Sequence, residues 1–345
     1  MGFAPAIGDT IRKILIRSPN WIGDAVMTTP AMGAVRSSFP RAEILVAANP
    51  IVAELFQHHP YSDGVLVFDK NGPHQGMGGF LRFCGLLNEQ GFDLAVLFQN
   101  AIEAAIMTFL ARIPRRAGYR TDQRGFLLTH PVAIGEVERR LHHTGYYLHM
   151  LNNLGICGGD GRLRLQCTDQ EQAWATATLG QWSWVAINPG ATFGSAKRWI
   201  PERFAQVADA LAGHHDARIV IIGGPGEVAM GQAVEKAMAT TPLNLVGKTS
   251  LRQLMAILAR CDLLVTNDSG PMHVAAALGT AVAAIFGPTD PTTTSPFSPS
   301  SRLVRKAVDC SPCLLRDCPS DHRCMSEIAV EDVLAAAEAL LGGRF

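Results

Sequence analysis

Short apolar runs alternate with longer amphipathic segments along most of the chain. Each run is five or six residues long, the usual length of a buried strand, and the segments between the runs place apolar residues at helical spacing. The runs are 13–17, 43–48, 64–68, 93–98, 184–189, 218–223, 262–267 and 281–286. This alternation predicts βαβ units, and therefore parallel sheets.

The apolar runs form two series, separated by the glycine-rich stretch 155–168. A chain of 345 residues exceeds one ordinary hydrophobic core, so two domains are expected. We predict an α/β fold with two facing Rossmann-like domains, each a doubly wound parallel sheet, and a cleft between them. The predicted N-terminal domain is 1–160, the C-terminal domain is 161–327, and a closing helix covers 328–345.

Composition narrows the possible classes of protein. Hydrophobic residues make up 48% of the chain, and 30 basic residues balance 30 acidic ones. Nucleic-acid-binding domains usually carry a basic excess, so we expect no nucleic-acid partner. The N-terminus lacks a basic region followed by an apolar one, and the longest apolar stretch, 274–286, is interrupted by Gly279 and Thr280. We therefore expect a cytoplasmic protein.

The segment "SPNWIGDAVM" carries one carboxylate, Asp24, at the start of a helix that follows the first strand. A first-turn acid commonly stabilises its helix by capping or by its interaction with the helix dipole. In open α/β sheets, however, ligands bind beyond the carboxyl ends of the strands. Asp24 is therefore a candidate catalytic carboxylate as well as a candidate helix cap.

Strands in the second half end in loops of similar character. The loop "NPGATFGSAKRW" combines small and hydroxyl residues with Lys197, which suits an anion, although a surface lysine would look the same. The loop "GGPGE" places Glu227 at a helix start, where an acid either binds a ribose hydroxyl or interacts with the helix dipole.

The stretch "NDSGPMHVAAALG" has Asp268 and Ser269 as candidate helix caps and Pro271 in the first helical turn. It predicts an apolar helix whose N-terminus forms an anion site. His273, in the same turn, is either a structural histidine or a hydrogen-bond donor to a phosphate.

A competing interpretation is a nicotinamide-dependent dehydrogenase. Gly224, Gly226 and Ala229 match the dinucleotide fingerprint after a strand. The match is weak because no acid occurs about 20 residues further on and Pro225 removes a backbone donor from the loop.

Four motifs in order, "SPNWIGDAVMTTPAM", "NPGAT" with Lys197, "GGPGE" and "NDSGPMHVAAALG", resemble the ADP-heptose:lipopolysaccharide heptosyltransferases, which have the GT-B fold. The "SPNWIGD" form and the C-terminal cysteines are most similar to the heptosyltransferase II group. The resemblance implies an inverting enzyme that moves L-glycero-D-manno-heptose from ADP-heptose to the heptosyl-Kdo2-lipid A acceptor of the lipopolysaccharide inner core.

The resemblance also implies residue roles. Asp24 is the expected general base, Thr192 and Lys197 hold the donor diphosphate, and Glu227 holds the nucleoside. The diphosphate and heptose end is expected to be lined by Asp268, Ser269, Gly270 and His273. Phe193 stands where a second hydroxyl residue is expected before the lysine, which removes one phosphate contact. No Asp-x-Asp sequence occurs, so no cofactor or catalytic metal is expected.

Two rival functions are a GT-B transferase for another nucleotide sugar and a non-catalytic nucleotide- or saccharide-binding protein. The binding protein would not need Asp24, and the other transferase would not prefer ADP.

Five arginines and one acid lie between Arg112 and Arg124. They form either a solvated charged face or a binding surface for a lipid-linked anionic acceptor, for which we select Arg115, Arg116 and Arg120. Such a basic face also suits peripheral contact with the inner face of the inner membrane.

Four cysteines, Cys310, Cys313, Cys318 and Cys324, occur in "CSPCLLRDCPSDHRC". They are candidates for a structural zinc ion or an iron–sulfur cluster, and equally for reduced thiols or for disulfides formed during isolation. The spacing differs from the usual pair of C-x2-C knuckles.

Overall fold

The computed structural model describes residues 11–342. Residues 1–10 and 343–345, which belong to the predicted N-terminal domain and closing helix, lie outside the described residues. The chain forms two compact units, the first ending at Gln166 and the second beginning at Cys167. The predicted boundary follows residue 160. Residues 161–166 belong to the first unit because the Arg164 backbone bonds to Thr29 Oγ1 at 3.1 Å and to His59 Nε2 at 2.9 Å.

The first unit contains six strands and seven α-helices within its described residues. The strands are β1 (Lys13–Arg17), β2 (Glu43–Ala48), β3 (Gly64–Val67), β4 (Leu94–Leu97), β5 (Arg115–Tyr119) and β6 (His130–Val132). The helices are α1 (Ile22–Met27), α2 (Thr29–Ser38), α3 (Pro50–Phe56), α4 (Gly76–Glu89), α5 (Ile102–Leu110), α6 (Glu136–Arg139) and α7 (His143–Asn152). A 3₁₀ turn covers Arg124–Leu127.

The second unit has six strands and eight α-helices within its described residues. The strands are β7 (Trp184–Asn188), β8 (Arg218–Ile221), β9 (Leu243–Asn244), β10 (Leu263–Asn267), β11 (Ala281–Ile285) and β12 (Ser301–Val304). The helices are α8 (Asp169–Leu179), α9 (Pro201–His215), α10 (Val228–Ala237), α11 (Leu251–Arg260), α12 (Gly270–Leu278), α13 (Pro291–Thr294), α14 (Arg323–Ser326) and α15 (Val330–Leu341). Two 3₁₀ turns cover Ser195–Lys197 and Pro225–Glu227.

The two sheets have the same topology. The first has the order β3-β2-β1-β4-β5-β6, and the second, read from its other edge, has the order β9-β8-β7-β10-β11-β12. Adjacent strands are parallel throughout both sheets. This is the strand order of doubly wound Rossmann-like folds, so the predicted fold class is confirmed.

The strand order reverses between β1 and β4 in the first unit and between β7 and β10 in the second. At such a reversal, the helices after the two central strands pack on opposite faces of the sheet and leave a crevice at the carboxyl ends. All four central strands are buried along nearly their whole length. Buried parallel strands read as continuous apolar runs, which explains why the sequence pattern locates them.

Helix α15 belongs to the core of the second unit. Its Val333, Ala337, Leu340 and Leu341 are buried in the same hydrophobic cluster as Trp199.

Candidate active site

The turn that leads from β1 into α1 is held by a buried cation, Arg17. Its guanidinium donates to the carbonyl oxygens of Ser18 at 2.6 Å and Ala47 at 3.2 Å, and to Asn20 Oδ1 at 3.1 Å. Only 1% of Arg17 is exposed, and burial lowers the pKa of its guanidinium to about 10. Arg17 is therefore still charged at neutral pH and fixes the backbone just ahead of Asp24. Sequence reasoning did not identify this residue.

Asp24 lies in the first turn of α1, but the residue at the N-cap is Trp21. The carboxylate faces His143 instead, with 3.3 Å between Asp24 Oδ1 and His143 Nδ1. Both side chains are about one-third exposed, at 30% for Asp24 and 34% for His143. The arrangement is a solvent-accessible carboxylate beside an imidazole, which is suited to accepting a proton. Sequence reasoning did not identify His143 as a partner of Asp24.

A second buried cation, Arg124, is connected by hydrogen bonds to the aromatic residues next to His143. Arg124 is fully buried and donates to the Tyr119 carbonyl oxygen at 2.8 Å and to Asn100 Oδ1 at 3.2 Å. The Asn100 amide in turn donates to the Tyr146 hydroxyl at 2.9 Å, and the Tyr146 ring lies 6.2 Å from that of His143. Burial lowers the pKa of Arg124 to about 10 and raises the pKa of Tyr146. These residues hold the loops after β4 and β5 together.

The three candidate acceptor arginines do not lie together. Arg120 is exposed just beyond the carboxyl end of β5, the end of the sheet at which Asp24 lies, whereas Arg115 and Arg116 begin the strand at its amino end. At about 3.3 Å per residue, the strand separates the two ends by roughly 13 Å or more. Arg116 is also engaged, since its Nε donates to the Leu127 carbonyl oxygen at 2.7 Å. Arg120 is thus the one of the three that lies at the same end of the sheet as Asp24.

In the second unit, Lys197 and Asp268 form an ion pair at the reversal of strand order. Lys197 Nζ lies 2.6 Å from Asp268 Oδ2, and their side chains are only 13% and 6% exposed. The same oxygen accepts a hydrogen bond from Thr289 Oγ1 at 2.7 Å. Lys197 also lies 4.9 Å from the ring centroid of Phe193, so the residue that replaces the expected hydroxyl supplies a cation–π contact.

Two asparagines at the strand ends join the loops around this pair. Asn188, the last residue of β7, donates to Ser269 Oγ at 2.7 Å. Asn267, the last residue of β10, donates to the Pro189 carbonyl oxygen at 2.8 Å and accepts from the Trp199 amide at 3.1 Å. Ser269 is the N-cap of α12 but makes no side-chain capping bond. The helix N-terminus beside the ion pair is therefore suited to an external anion.

Glu227 is brought to the same loops from the strand next to β7. Its Oε2 accepts from the Gly224 amide at 2.8 Å. The carboxylate also lies against Gly190, because a Cβ placed on Gly190 would come within 2.1 Å of Glu227 Oε1. Only glycine at position 190 leaves room for this carboxylate. The structure therefore brings Lys197, Glu227, Asp268 and Ser269 together around the ends of β7 and β10.

The remaining candidate donor residues differ in accessibility. Thr192 is exposed in the loop after β7, and Gly270 is half-buried as the first residue of α12. His273 is buried, with 3% of its surface exposed, within α12.

The cysteine-bearing segment 310–324 packs against the loop that carries Lys197. The Ala196 amide donates to the Arg316 carbonyl oxygen at 2.9 Å, and Arg316 Nε donates to the Phe193 carbonyl oxygen at 2.8 Å. His322 Nε2 also lies 2.6 Å from the Ala196 carbonyl oxygen. The cysteine-bearing segment thus fixes the loop before Lys197 by hydrogen bonds to its backbone.

The four cysteines of this segment are free thiols in different environments. Cys310 is exposed, Cys313 and Cys318 are partly exposed, and Cys324 is buried, which raises the pKa of its thiol to about 11. Within residues 11–342, no group of three or more His, Cys, Asp or Glu side chains is arranged to hold a metal ion. A structural metal at Cys310, Cys313, Cys318 and Cys324 stays a prediction.

Comparisons with known proteins bear on the family and the fold. The profile of "Glycosyltransferase family 9 (heptosyltransferase)" matches residues 80–323. The chain is 31% identical to lipooligosaccharide heptosyltransferase 2 of Campylobacter jejuni, over 95% of this chain and 98% of the relative.

Two solved structures are similar over nearly their whole length. Escherichia coli ADP-heptose lps heptosyltransferase II has a TM-score of 0.79 and 26% identity, with 96% of this chain and 99% of that chain covered. A family 9 glycosyl transferase of Veillonella parvula has a TM-score of 0.86 and 25% identity, with 98% and 99% covered. These matches confirm the GT-B fold. None of the helices within residues 11–342 is long and apolar enough to cross a membrane.

The metal-bound and metal-free interpretations of the cysteine segment predict different elemental analyses. A metal site predicts about one zinc ion or one iron–sulfur cluster per chain in protein purified without chelator, and a lower melting temperature after chelation. The measurements are plasma mass spectrometry, the visible spectrum and calorimetry. The metal would be ruled out if the purified protein contains none, if chelator does not change its melting temperature, and if all 8 cysteines titrate as thiols after denaturation.

Proposed function

The chain belongs to glycosyltransferase family 9, the heptosyltransferases, and from this membership we propose that it acts as a heptosyltransferase II. The proposed reaction moves L-glycero-D-manno-heptose from ADP-heptose to heptosyl-Kdo2-lipid A, with inversion at the anomeric carbon. We assign this reaction to the cytoplasmic face of the inner membrane, because the acceptor is lipid-linked.

The observation that carries the donor assignment is the arrangement at the ends of β7 and β10. A nearly buried lysine lies beside a helix N-terminus without a side-chain cap, and both features favour a diphosphate. We propose that Thr192 and Lys197 bind the diphosphate and that Glu227 binds the adenosine part. The residues proposed to line the diphosphate and heptose end are Asp268, Ser269, Gly270 and His273.

Asp24 is the proposed general base. In the reaction, the acceptor hydroxyl gives its proton to the Asp24 carboxylate, and its oxygen forms a bond to the anomeric carbon. The bond from that carbon to the phosphate oxygen breaks at the same time, and ADP leaves with the electron pair. Lys197 and the amides of the first turn of α12 stabilise the added negative charge. The nearby His143 is proposed to orient the carboxylate.

Arg120 is the proposed acceptor contact of the arginine cluster. It is exposed at the carboxyl end of β5, and a guanidinium binds phosphate and carboxylate groups in a bidentate manner. Arg115 and Arg116, at the other end of the strand, are not retained in this role.

Nucleotide and acceptor preferences test the proposed function. We expect ADP to raise the melting temperature more than UDP or GDP, because bound ligand stabilises only the folded state. We also expect ADP release from ADP-heptose with an acceptor that already carries one heptose, and little with Kdo2-lipid A. A UDP preference would instead support another sugar nucleotide, and nucleotide binding without transfer would support a binding protein.

Replacing Asp24 by Asn separates the catalytic role from a role in helix stability. Asn keeps the size of the side chain but does not accept the proton, so turnover should fall by about 100-fold or more. ADP affinity should not change, because the proposed nucleotide contacts are made by other residues. The effect of His143→Gln should be smaller than that of Asp24→Asn. Stopped-time assays of heptose transfer and calorimetric titration with ADP measure the two quantities.

The matched control is Asp169→Asn, which changes a first-turn acid of α8 in the same way. It should leave turnover unchanged, since a first-turn acid contributes about 0.3–1 kcal/mol to its helix. Near-wild-type transfer by folded Asp24→Asn protein would end the catalytic assignment.

Gly190→Ala tests the proposed position of Glu227. The added methyl group occupies the space of the Glu227 carboxylate and should displace it. Loss of a hydrogen bond to a charged group costs about 1.5–3 kcal/mol, so ADP should bind roughly 10- to 100-fold more weakly in titration calorimetry.

Gly226→Ala is the control for this substitution, because a Cβ on Gly226 meets nothing within 4 Å. Its ADP affinity should stay within about twofold of wild type. Equal affinities in the two variants would remove Glu227 from the proposed nucleotide site.

A further inference from the structure

Helix α5, with the sequence IEAAIMTFL, is apolar on nearly all sides. Ala104, Ala105, Met107 and Thr108 are buried against the sheet. The opposite side carries Ile102, Ile106, Phe109 and Leu110. We call its two exposed residues, Phe109 and Leu110, the α5 face. Ile102 and Ile106 are partly buried and pack against the hydrophobic core of the first unit, whereas Phe109 is 50% exposed and Leu110 is 41% exposed. A surface helix normally has a polar outer side.

Elements that pack against α5 also expose apolar side chains. Phe126, 80% exposed, lies on the 3₁₀ turn that packs against α5. Helix α4, which packs against α5, exposes Met77 by 73% and Leu81 by 49%, one turn apart. Exposed apolar side chains on elements that pack together favour an interaction site.

The charged residues that follow the C-terminal end of α5 are basic. Arg112 is exposed directly after the helix, and Arg115 and Arg116 follow it at the amino end of β5. The Arg116 guanidinium lies 5.5 Å from the ring centroid of Phe109. The acids nearby are engaged at the other end of the helix, where Glu103 pairs with Lys70 and Asp122 accepts from the Ile102 amide.

We propose that the α5 face and its arginines dock the protein on an anionic phospholipid surface. Apolar side chains enter the boundary between headgroups and acyl chains, and Arg112 and Arg115 meet the lipid phosphates, as in interfacial amphipathic helices. This inference rests on the proposed lipid-linked acceptor. It also assigns a role to Arg115, which lies too far from the carboxyl end of β5 to be an acceptor contact, whereas the Arg116 guanidinium stays engaged with the Leu127 carbonyl oxygen.

Vesicle flotation of the full-length protein, without donor or acceptor, tests the docking surface independently of transfer. The wild type should float with vesicles of an equal mixture of phosphatidylcholine and phosphatidylglycerol, and not with phosphatidylcholine alone. Binding should weaken at high salt, because the Debye length falls from about 10 Å at 0.1 M to about 3 Å at 1 M. Absence of wild-type binding to the anionic vesicles would overturn the proposal.

The double variant Phe109→Glu with Leu110→Glu places two charges in the α5 face and should lower vesicle binding by about tenfold or more. The matched control is Phe297→Glu with Leu303→Glu in the second unit, where both residues are 43% exposed. It should float like the wild type. Phe126→Glu, at a position 80% exposed, provides a second test if the double variant does not fold.

Three further outcomes decide between the proposals. If the double variant still transfers heptose to a delipidated acceptor in solution but transfers less to acceptor in vesicles, docking is supported. If the wild type transfers no heptose but binds vesicles, and the double variant does not bind them, the proposed function is refuted and docking is supported. If the wild type sediments as a dimer and the double variant as a monomer, while both bind vesicles equally, a second copy of the chain covers the α5 face and docking is refuted.

Discussion

A parallel sheet must be covered by helices on both faces, and this constraint decides where chemistry is possible in each unit. The residues of β4 and β10 are buried along the whole strand, so their side chains contribute to packing. Polar groups that meet a ligand are therefore confined to the loops at the strand ends. Because both sheets have the same order, each unit has one reversal of strand order. Asp24, Lys197 and Asp268 follow the strands at that reversal, and Glu227 and Arg120 follow the strands next to them.

The same constraint explains why so many polar side chains at these loops bind one another. Loop groups that lie close to a buried strand end need hydrogen-bond partners, and Arg17, Arg124 and Asn267 supply them to backbone carbonyl oxygens. Asp24 differs because it is 30% exposed beside an imidazole. The Lys197–Asp268 pair is nearly buried, and such pairs contribute little net stability. An anion that uses the lysine is therefore a better reason for the pair than stability.

The sequence pattern locates strands with continuous apolar runs, whereas β5, β6, β9 and β12 are missed. Strand β5 begins with two arginines, β6 contains Pro131, and β9 has only two residues. Asp24, Lys197 and Glu227 are identifiable because each lies in the segment that follows an apolar run. The partnership of Asp24 with His143 joins residues 119 positions apart, and no local pattern reports it. The arginine cluster misleads because a compact stretch of sequence becomes an extended strand with two distant ends.

Helices α5 and α12 show what burial adds to composition. Both have nine residues, both are largely apolar, and both follow a central strand of their sheet. None of the α12 residues is exposed, whereas α5 leaves Phe109 and Leu110 in solvent. Exposing such side chains costs about 25 cal/mol per Å² of apolar surface relative to covering them. Since composition is similar and only the covering differs, the outer side of α5 is best explained by a partner outside the chain, and its neighbouring arginines favour an anionic one.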